Sequence, residues 1–329
     1  MERDSGRAMR AVVRVEPRAR IAAPRAPGLR VTVLASGSDG NATLFESKGT
    51  AVLVDAGLGP RLLQRALRAI GASTPEAIVI THAHHDHVGQ APLLARHLRV
   101  PVHVTGATER EAKALDGLTL HRFSPREPFT IGALTFRPLP VPHDAAQVAL
   151  TVDDGDHRAA LVTDLGEVTG ALIDHLDGCD AVLVESNHDE GLLARGPYPW
   201  SLKRRIASAR GHLSNRQTHG LLRSLSSRTR AVMLMHLSRT NNRPDLALEA
   251  ARDALGRRPI ALTVAPVRGA ACLDLGAMGV DALHAGRRQL DLFGVALVDT
   301  SVAGGRRRAW HEGWSARPLR GERLVRTAG

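Results

Sequence analysis

Cysteine is nearly absent from this chain of 329 residues: the two present, Cys179 and Cys272, are far apart and outside any Cys-x-x-Cys spacing. That excludes a disulfide framework and suits a reducing, cytoplasmic compartment. Aromatic residues make up only 3%, so the core must be built mainly from Ala, Val, Leu and Ile. No apolar run approaches the roughly 20 residues that a membrane-spanning helix needs. Residues 1–30 contain no apolar segment of the signal-peptide kind, and no membrane partner is expected.

What is present is an ordinary globular balance, 43% hydrophobic and 23% charged. The net charge of +11 is concentrated at the ends, where residues 1–30 carry eight arginines against three acids and residues 281–329 nine against five. Solubilising tails would account for most of it, and nucleic-acid contact is an equal alternative. One internal stretch is different. Between Gly191 and Pro244 there is no Asp or Glu, but there are ten arginines and Lys203.

The pattern along the chain predicts a disordered basic leader over 1–28 (Met9 is an alternative start), a catalytic domain over 29–270 and a Gly/Arg-rich, partly disordered extension over 271–329. Within the domain, Val31–Leu34, Ala51–Val54, Ile78–Ile80, Pro101–Thr105, Phe129–Leu139, Val148–Val152, Ala159–Thr163, Ala181–Glu185, Val232–Met235 and Ile260–Val264 read as strands. Helices are expected over Leu62–Ile70, Ala91–His97, Val168–Leu176, from the capping-box sequence Ser214-Asn-Arg-Gln217 to about Leu225, and from Pro244 to about Leu255. Strands in two batches, each interleaved with helices, predict an α/β fold of two sheets covered by outer helices.

The strongest chemical signal is Thr81-His82-Ala83-His84-His85-Asp86-His87, directly after a buried strand. Four imidazoles and a carboxylate in six positions would be costly to bury without partners. They are the ligand types that borderline metals such as zinc prefer. Alternate residues of an extended loop point the same way, so His82 and His84 can hold one ion, and Asp86 and His87 a second. His85 points between the ligands and is expected to support them from outside or to face solvent rather than to bind.

The motif Thr-His-x-His-x-Asp-His resembles the signature of metallo-β-lactamase-fold hydrolases. Later motifs follow in order at strand ends: His143 in Val-Pro-His-Asp, Asp164 in Val-Thr-Asp-Leu and His236 in Met-Leu-Met-His. The resemblance implies an αββα sandwich of two mixed β-sheets flanked by helices. It implies that His82, His84 and His143 bind one metal, that Asp86, His87 and His236 bind the other, and that Asp164 bridges both. Asp55 in Val-Asp-Ala-Gly matches the family's aspartate that orients the histidine loop. Two divalent ions are expected, zinc by ligand type, with manganese also compatible.

The substrate has to be read elsewhere, because one fold serves many reactions. Gly211-His-Leu-Ser-Asn-Arg-Gln217 resembles RNase Z, where a histidine before such a helix assists phosphodiester cleavage; the residue here is His212. Ser36-Gly-Ser-Asp-Gly-Asn41, Glu185-Ser-Asn-His-Asp189 and Tyr198-Pro-Trp-Ser-Leu-Lys203 are similar to the YycJ/WalJ family, which is linked to DNA exonuclease activity. The expected activity is therefore metal-dependent phosphodiester hydrolysis of nucleic acid, DNA by resemblance, with a metal-bridging hydroxide as nucleophile. Asp86 would orient that hydroxide, and His212 would protonate the leaving oxygen or clamp the phosphate. Ser36, Asn41, Lys203, Arg204 and Asn215 are candidate substrate contacts, Ser36 and Asn41 fitting a Gly-flanked turn under the site equally well, and Tyr198 and Trp200 could stack on bases or belong to the core. A small-molecule hydrolase acting on a thioester, lactone or cyclic phosphodiester would share all seven ligands. The acid-free basic stretch and His212 favour the nuclease.

Overall fold

A computed structural model describes residues 28–277 and, beyond them, the backbone of two short strand segments. The leader expected over 1–28 and most of the extension lie outside these residues. The first sheet is built from β1 (Arg30–Ala35), β2 (Ala42–Ser47), β3 (Thr50–Val54), β4 (Ala77–Val79), β5 (Val102–Thr105) and β6 (Leu120–Phe123). The second contains β7 (Phe129–Ile131), β8 (Leu134–Val141), β9 (Gln147–Asp153), β10 (Arg158–Val162), β11 (Ala181–Glu185), β12 (Ala231–Met235) and β13 (Ala261–Val264). The chain then returns to the first sheet as β14 (Arg268–Asp274), followed by β15 (Gln289–Leu290) and β16 (Ala296–Leu297).

The first sheet has the order β16-β15-β14-β1-β2-β3-β4-β5-β6, the second β13-β12-β11-β10-β9-β8-β7. Both are mixed. β1 to β3 are antiparallel and β3 to β6 parallel, while β7 to β10 are antiparallel and β10 to β13 parallel.

Strands β11 and β12 are apolar along their length, apart from Glu185 at the end of β11, because both of their faces are covered. Along β11, Ala181 and Leu183 enter the core between the sheets, whereas Val182 and Val184 pack under the helices on the outer face. β12 repeats this alternation with Met233 and Met235 inward and Val232 and Leu234 outward. Helices Pro60–Ile70 and Ala91–Leu98 cover the first sheet; helices Gly170–Leu176, Asn215–Arg223 and Pro244–Leu255 cover the second. The result is the expected αββα layering.

The body extends past residue 270. β14 pairs with β1 from Arg268↔Ala35 to Asp274↔Arg30, and the next residue, Leu275, is buried and donates its N–H to the Leu29 carbonyl at 2.9 Å. Parallel pairing in the middle of each sheet aligns the C-terminal strand ends. The loops after β3, β4, β10 and β12 leave from that edge, and with the one after β8 they carry the histidines and aspartates singled out above.

Candidate metal centre

The histidine loop is fixed from below by Asp55, just after β3. Asp55 Oδ1 accepts the Thr81 backbone N–H at 2.9 Å, and Oδ2 takes Nδ1 of His87 at 2.7 Å. Asp86 and His87 sit in the single helical turn His85–Val88. Backbone bonds tie that turn to the neighbouring loop, from Asn41 N to Asp86 O at 2.8 Å and from Ala56 N to His87 O at 2.6 Å. Gly57 is where these segments cross. A Cβ there would lie 2.2 Å from Asn41 N and 2.4 Å from Asp86 O, so only glycine lets the loops close.

The donors gather in three adjoining sets, His82–His84–His143, Asp86–His87–Asp164–His236 and Asp164–Glu185–His212–His236, each with its donor atoms within 4.8 Å of one another. In each of the five histidines of the first two sets one ring nitrogen is occupied by the protein. His82 Nδ1 meets Thr81 Oγ1 at 3.1 Å, His84 Nε2 meets Asp144 Oδ1 at 3.2 Å, and His143 Nδ1 meets the Gly211 carbonyl at 3.1 Å. His87 Nδ1 is held by Asp55 and His236 Nδ1 by Glu185 Oε1, the latter at 3.1 Å. Such outer contacts can set the tautomer and turn the other nitrogen toward a shared point, where His84 Nδ1 and His143 Nε2 lie 3.3 Å apart and His87 Nε2 lies 3.1 Å from Asp164 Oδ2. His82 Nε2 and His236 Nε2 are buried without a hydrogen-bond partner, and Asp164 Oδ2 has only His87 Nε2 at 3.1 Å, an arrangement that is costly unless a cation takes up the lone pairs. Two of these residues, Asp164 (φ 58°) and His236 (φ 54°), hold the left-handed backbone conformation, as does Asp55 (φ 63°). Strain concentrated on strand-end site residues is a mark of a constrained functional site. The residues fit a divalent metal.

The electrostatics agree. Burial opposes charge on His236, yet Asp164, Asp86 and Glu185 raise it to about 10; His87 is likewise raised against burial by Asp164 and Asp55. Burial opposes ionisation of Asp164 too, but His236 and His87 hold it well below the usual carboxylate range. Burial, reinforced by His87, His84 and His143, pushes His82 well below 6.5. The centre thus keeps its carboxylates charged by protonating imidazoles, the role that a bound cation would take over.

His212 lies beside these donors. Its ring stacks on His236 with centroids 5.3 Å apart, and its Nδ1 meets Glu185 Oε1 at 2.7 Å. Burial works against its charge, but Glu185 and then Asp164 raise its pKa. Glu185, at the end of β11, therefore serves both His212 and His236, a role that the sequence reading did not assign. Asp144, which holds His84, was missed as well. Its signal was adjacency to His143, and its other oxygen is fixed by Arg205 Nε at 2.6 Å.

The candidate substrate contacts separate. Ser36 is buried and its hydroxyl accepts the His236 backbone N–H at 2.7 Å. Asn215 is buried in a network with Ser186 and Asn242. Asn41 is buried too, and its amide donates to Asp86 Oδ2 at 3.1 Å. These three side chains are spent inside the protein, where they stiffen the frame of the site. Lys203 and Arg204 stand on the short helix Trp200–Ile206, which has no buried residue. His85 is exposed as expected. The centre opens into a cleft of about 230 Å³ whose walls include Asp144, Tyr198, Leu202, Ile206 and His212.

Two facing mixed sheets, outer helices and a His/Asp centre at the strand ends define a metallo-β-lactamase fold. The β-lactamase superfamily domain matches residues 50–237. Exodeoxyribonuclease WalJ of Streptococcus pneumoniae is 34% identical over 231 residues, covering 67% of this chain and 86% of the relative. Exodeoxyribonuclease YycJ of Bacillus anthracis is 33% identical with the same coverage. Among solved structures, the metallo-β-lactamase fold protein YhfI from Bacillus subtilis superposes with a TM-score of 0.58 at 19% identity, covering 74% of this chain and 98% of that one, a likeness of fold. The chain belongs to the β-lactamase superfamily and, within it, to the YycJ/WalJ-like hydrolases.

Proposed function

We propose that the protein is a DNA exonuclease that works with two divalent metal ions. The observation that carries this reading is the Glu185–His212 pair. The two donor sets that match the family's ligands do not include His212, although it lies with Asp164, Glu185 and His236 in a third group of possible donors; Glu185 holds it at 2.7 Å beside His236 and on the wall of the cleft. A small-molecule hydrolase with a good leaving group would have little use for it, whereas a sugar alkoxide needs a proton. The curated relatives are named exodeoxyribonucleases, and similarity at about one third identity over most of both chains supports the same substrate class.

In this reading His82, His84 and His143 hold one ion, Asp86, His87 and His236 the other, and Asp164 is shared. The imidazole-rich donors favour zinc, and manganese is compatible. Bound there, the metals would supply Lewis acidity for a water molecule and for a phosphate oxygen. Asp86, partly exposed, would orient the attacking water through its carboxylate. Protonated His212, its Nδ1 engaged by Glu185, presents its other ring nitrogen to the leaving oxygen. Arg205 is neutralised by Asp144 and serves to hold that carboxylate against His84.

The reading is tested with end-labelled single- and double-stranded DNA and RNA, incubated with metal-loaded protein. Products shortened progressively from a DNA end are expected. Intact nucleic acid beside turnover of a thioester or lactone would reject it.

A further inference from the structure

Three large apolar side chains are exposed among the described residues, and only Trp200, 72% exposed, adjoins the cleft. It opens the helix Trp200–Ile206, none of whose side chains is buried. Spacing of three and four residues places Trp200, Lys203 and Arg204 on one face of that helix. Leu202 and Ile206 turn toward the cleft, which they line together with Tyr198 and His212. The two cations on the outer face are not engaged by a carboxylate among the described residues. Lys203 Nζ donates to a carbonyl, that of Ala194, at 2.8 Å, and Arg204 makes no ion pair among the described residues. The stretch from Gly191 to Arg243 contains no acidic residue, and although acids from elsewhere pair with Arg205, Arg216, Arg228 and Arg239, none is paired with Lys203 or Arg204 among the described residues.

An exposed indole costs solubility, and one flanked by two uncompensated cations at the mouth of a hydrolytic cleft matches a particular ligand surface. Nucleobases offer π-faces at regular intervals along a polyanion, and an aromatic side chain can stack only on bases that are not already paired and stacked. We propose that the Trp200–Lys203–Arg204 face is a docking track for an unpaired nucleic-acid strand. Trp200 and Tyr198 stack on successive bases, Lys203 and Arg204 follow the backbone, and the strand end is delivered past Leu202 to His212. This inference rests on the nuclease reading and narrows its substrate to single-stranded ends or duplex ends with overhangs.

The test is binding of metal-loaded protein to fluorescently labelled, phosphorothioate-linked oligonucleotides, either unpaired or as a blunt hairpin, at several salt concentrations. Metal content and Tm establish that each variant is folded. Trp200→Ala should weaken binding of the unpaired strand on the order of tenfold, Trp200→Phe should restore most of it, and the blunt hairpin should be affected little. Lys203→Gln with Arg204→Gln should flatten the salt dependence for the unpaired strand by roughly 0.7 per charge removed. Unchanged affinity of Trp200→Ala for the unpaired strand would overturn the proposal, as would an equal loss on the hairpin. Binding to phosphatidylserine vesicles that depends on Trp200, with DNA affinity unaltered, would assign the face to a membrane and overturn it too. Wild-type protein that neither binds nor cuts any nucleic acid would instead refute the nuclease reading beneath it.

Discussion

Glu185 Oε1 lies 2.7 Å from Nδ1 of His212 and 3.1 Å from Nδ1 of His236, so one buried carboxylate oxygen serves a proposed metal ligand and a proposed proton donor together. Substitutions at the two ends of this relationship should have different consequences. His212→Ala should cost on the order of 10²–10⁴ in DNA cleavage with metal content unchanged. An activated nitrophenyl phosphodiester, whose leaving group needs no proton, should lose much less. Glu185→Gln should also lower metal affinity, by roughly 10–100-fold, because His236 loses its outer partner. Equal losses on both substrates for His212→Ala would move that residue from proton transfer to phosphate positioning.

The metal-free protein should carry a pH signature. Burial disfavours the charged form of His236, but Asp164, Asp86 and Glu185 outweigh it and raise its pKa from 6.5 to about 10. A histidine raised on folding stabilises the fold fully below 6.5 and loses that contribution as pH rises through about 10. His87 and His212 are shifted in the same direction. Denaturant midpoints of metal-free protein should therefore fall across that window, while those of loaded protein stay nearly flat and metal affinity rises. A midpoint that climbs with pH in metal-free protein would contradict this electrostatic account.

Gly57 should be intolerant of any side chain. The Cβ of Gly57→Ala would meet backbone atoms of Asn41, Asp86 and Gly40 at 2.2–2.5 Å, none of which is a flexible end that can swing aside. The substitution should cost about 1–3 kcal/mol by overpacking and reduce metal occupancy by shifting the Asp86 turn. Calorimetry and elemental analysis measure the two effects. Wild-type values for both would mean that the loop crossing has slack.

Truncation should separate the body from its ends. A chain spanning 28–277 should keep its metals and its turnover of short oligonucleotides, since every donor and both sheets up to β14 lie inside it. A chain ending at 267 should fail to fold, because β14 supplies the antiparallel partner of β1 and Leu275 closes the core between the sheets. Normal metal content in the shorter chain would show that β14 is dispensable.

The sequence made the metal loop legible because its chemistry is local: four histidines and an aspartate in six positions need no long-range information. The central strands were legible because both of their faces are apolar. β14 was not, since Arg-Gly-Ala-Ala-Cys-Leu-Asp lacks the β-branched residues that mark a strand; its pairing with β1 supplies what local preference does not. The work of Glu185 was hidden for a related reason. Its partners lie 27 and 51 residues away and meet only once β11 and β12 pair in parallel. Ser36 and Asn215 lie in segments that resemble the family and could contact substrate or sit under the site; their side chains are buried beneath the centre, which only the packing of distant segments decides.

The central claim is that metal held by these histidines and aspartates performs the hydrolysis. The most direct measurement is metal content per chain by elemental analysis, paired with DNA cleavage by the same sample before and after chelation. The account predicts about two divalent ions per chain, loss of cleavage when they are removed and recovery when zinc or manganese is returned. Full cleavage by protein that contains no metal would contradict it.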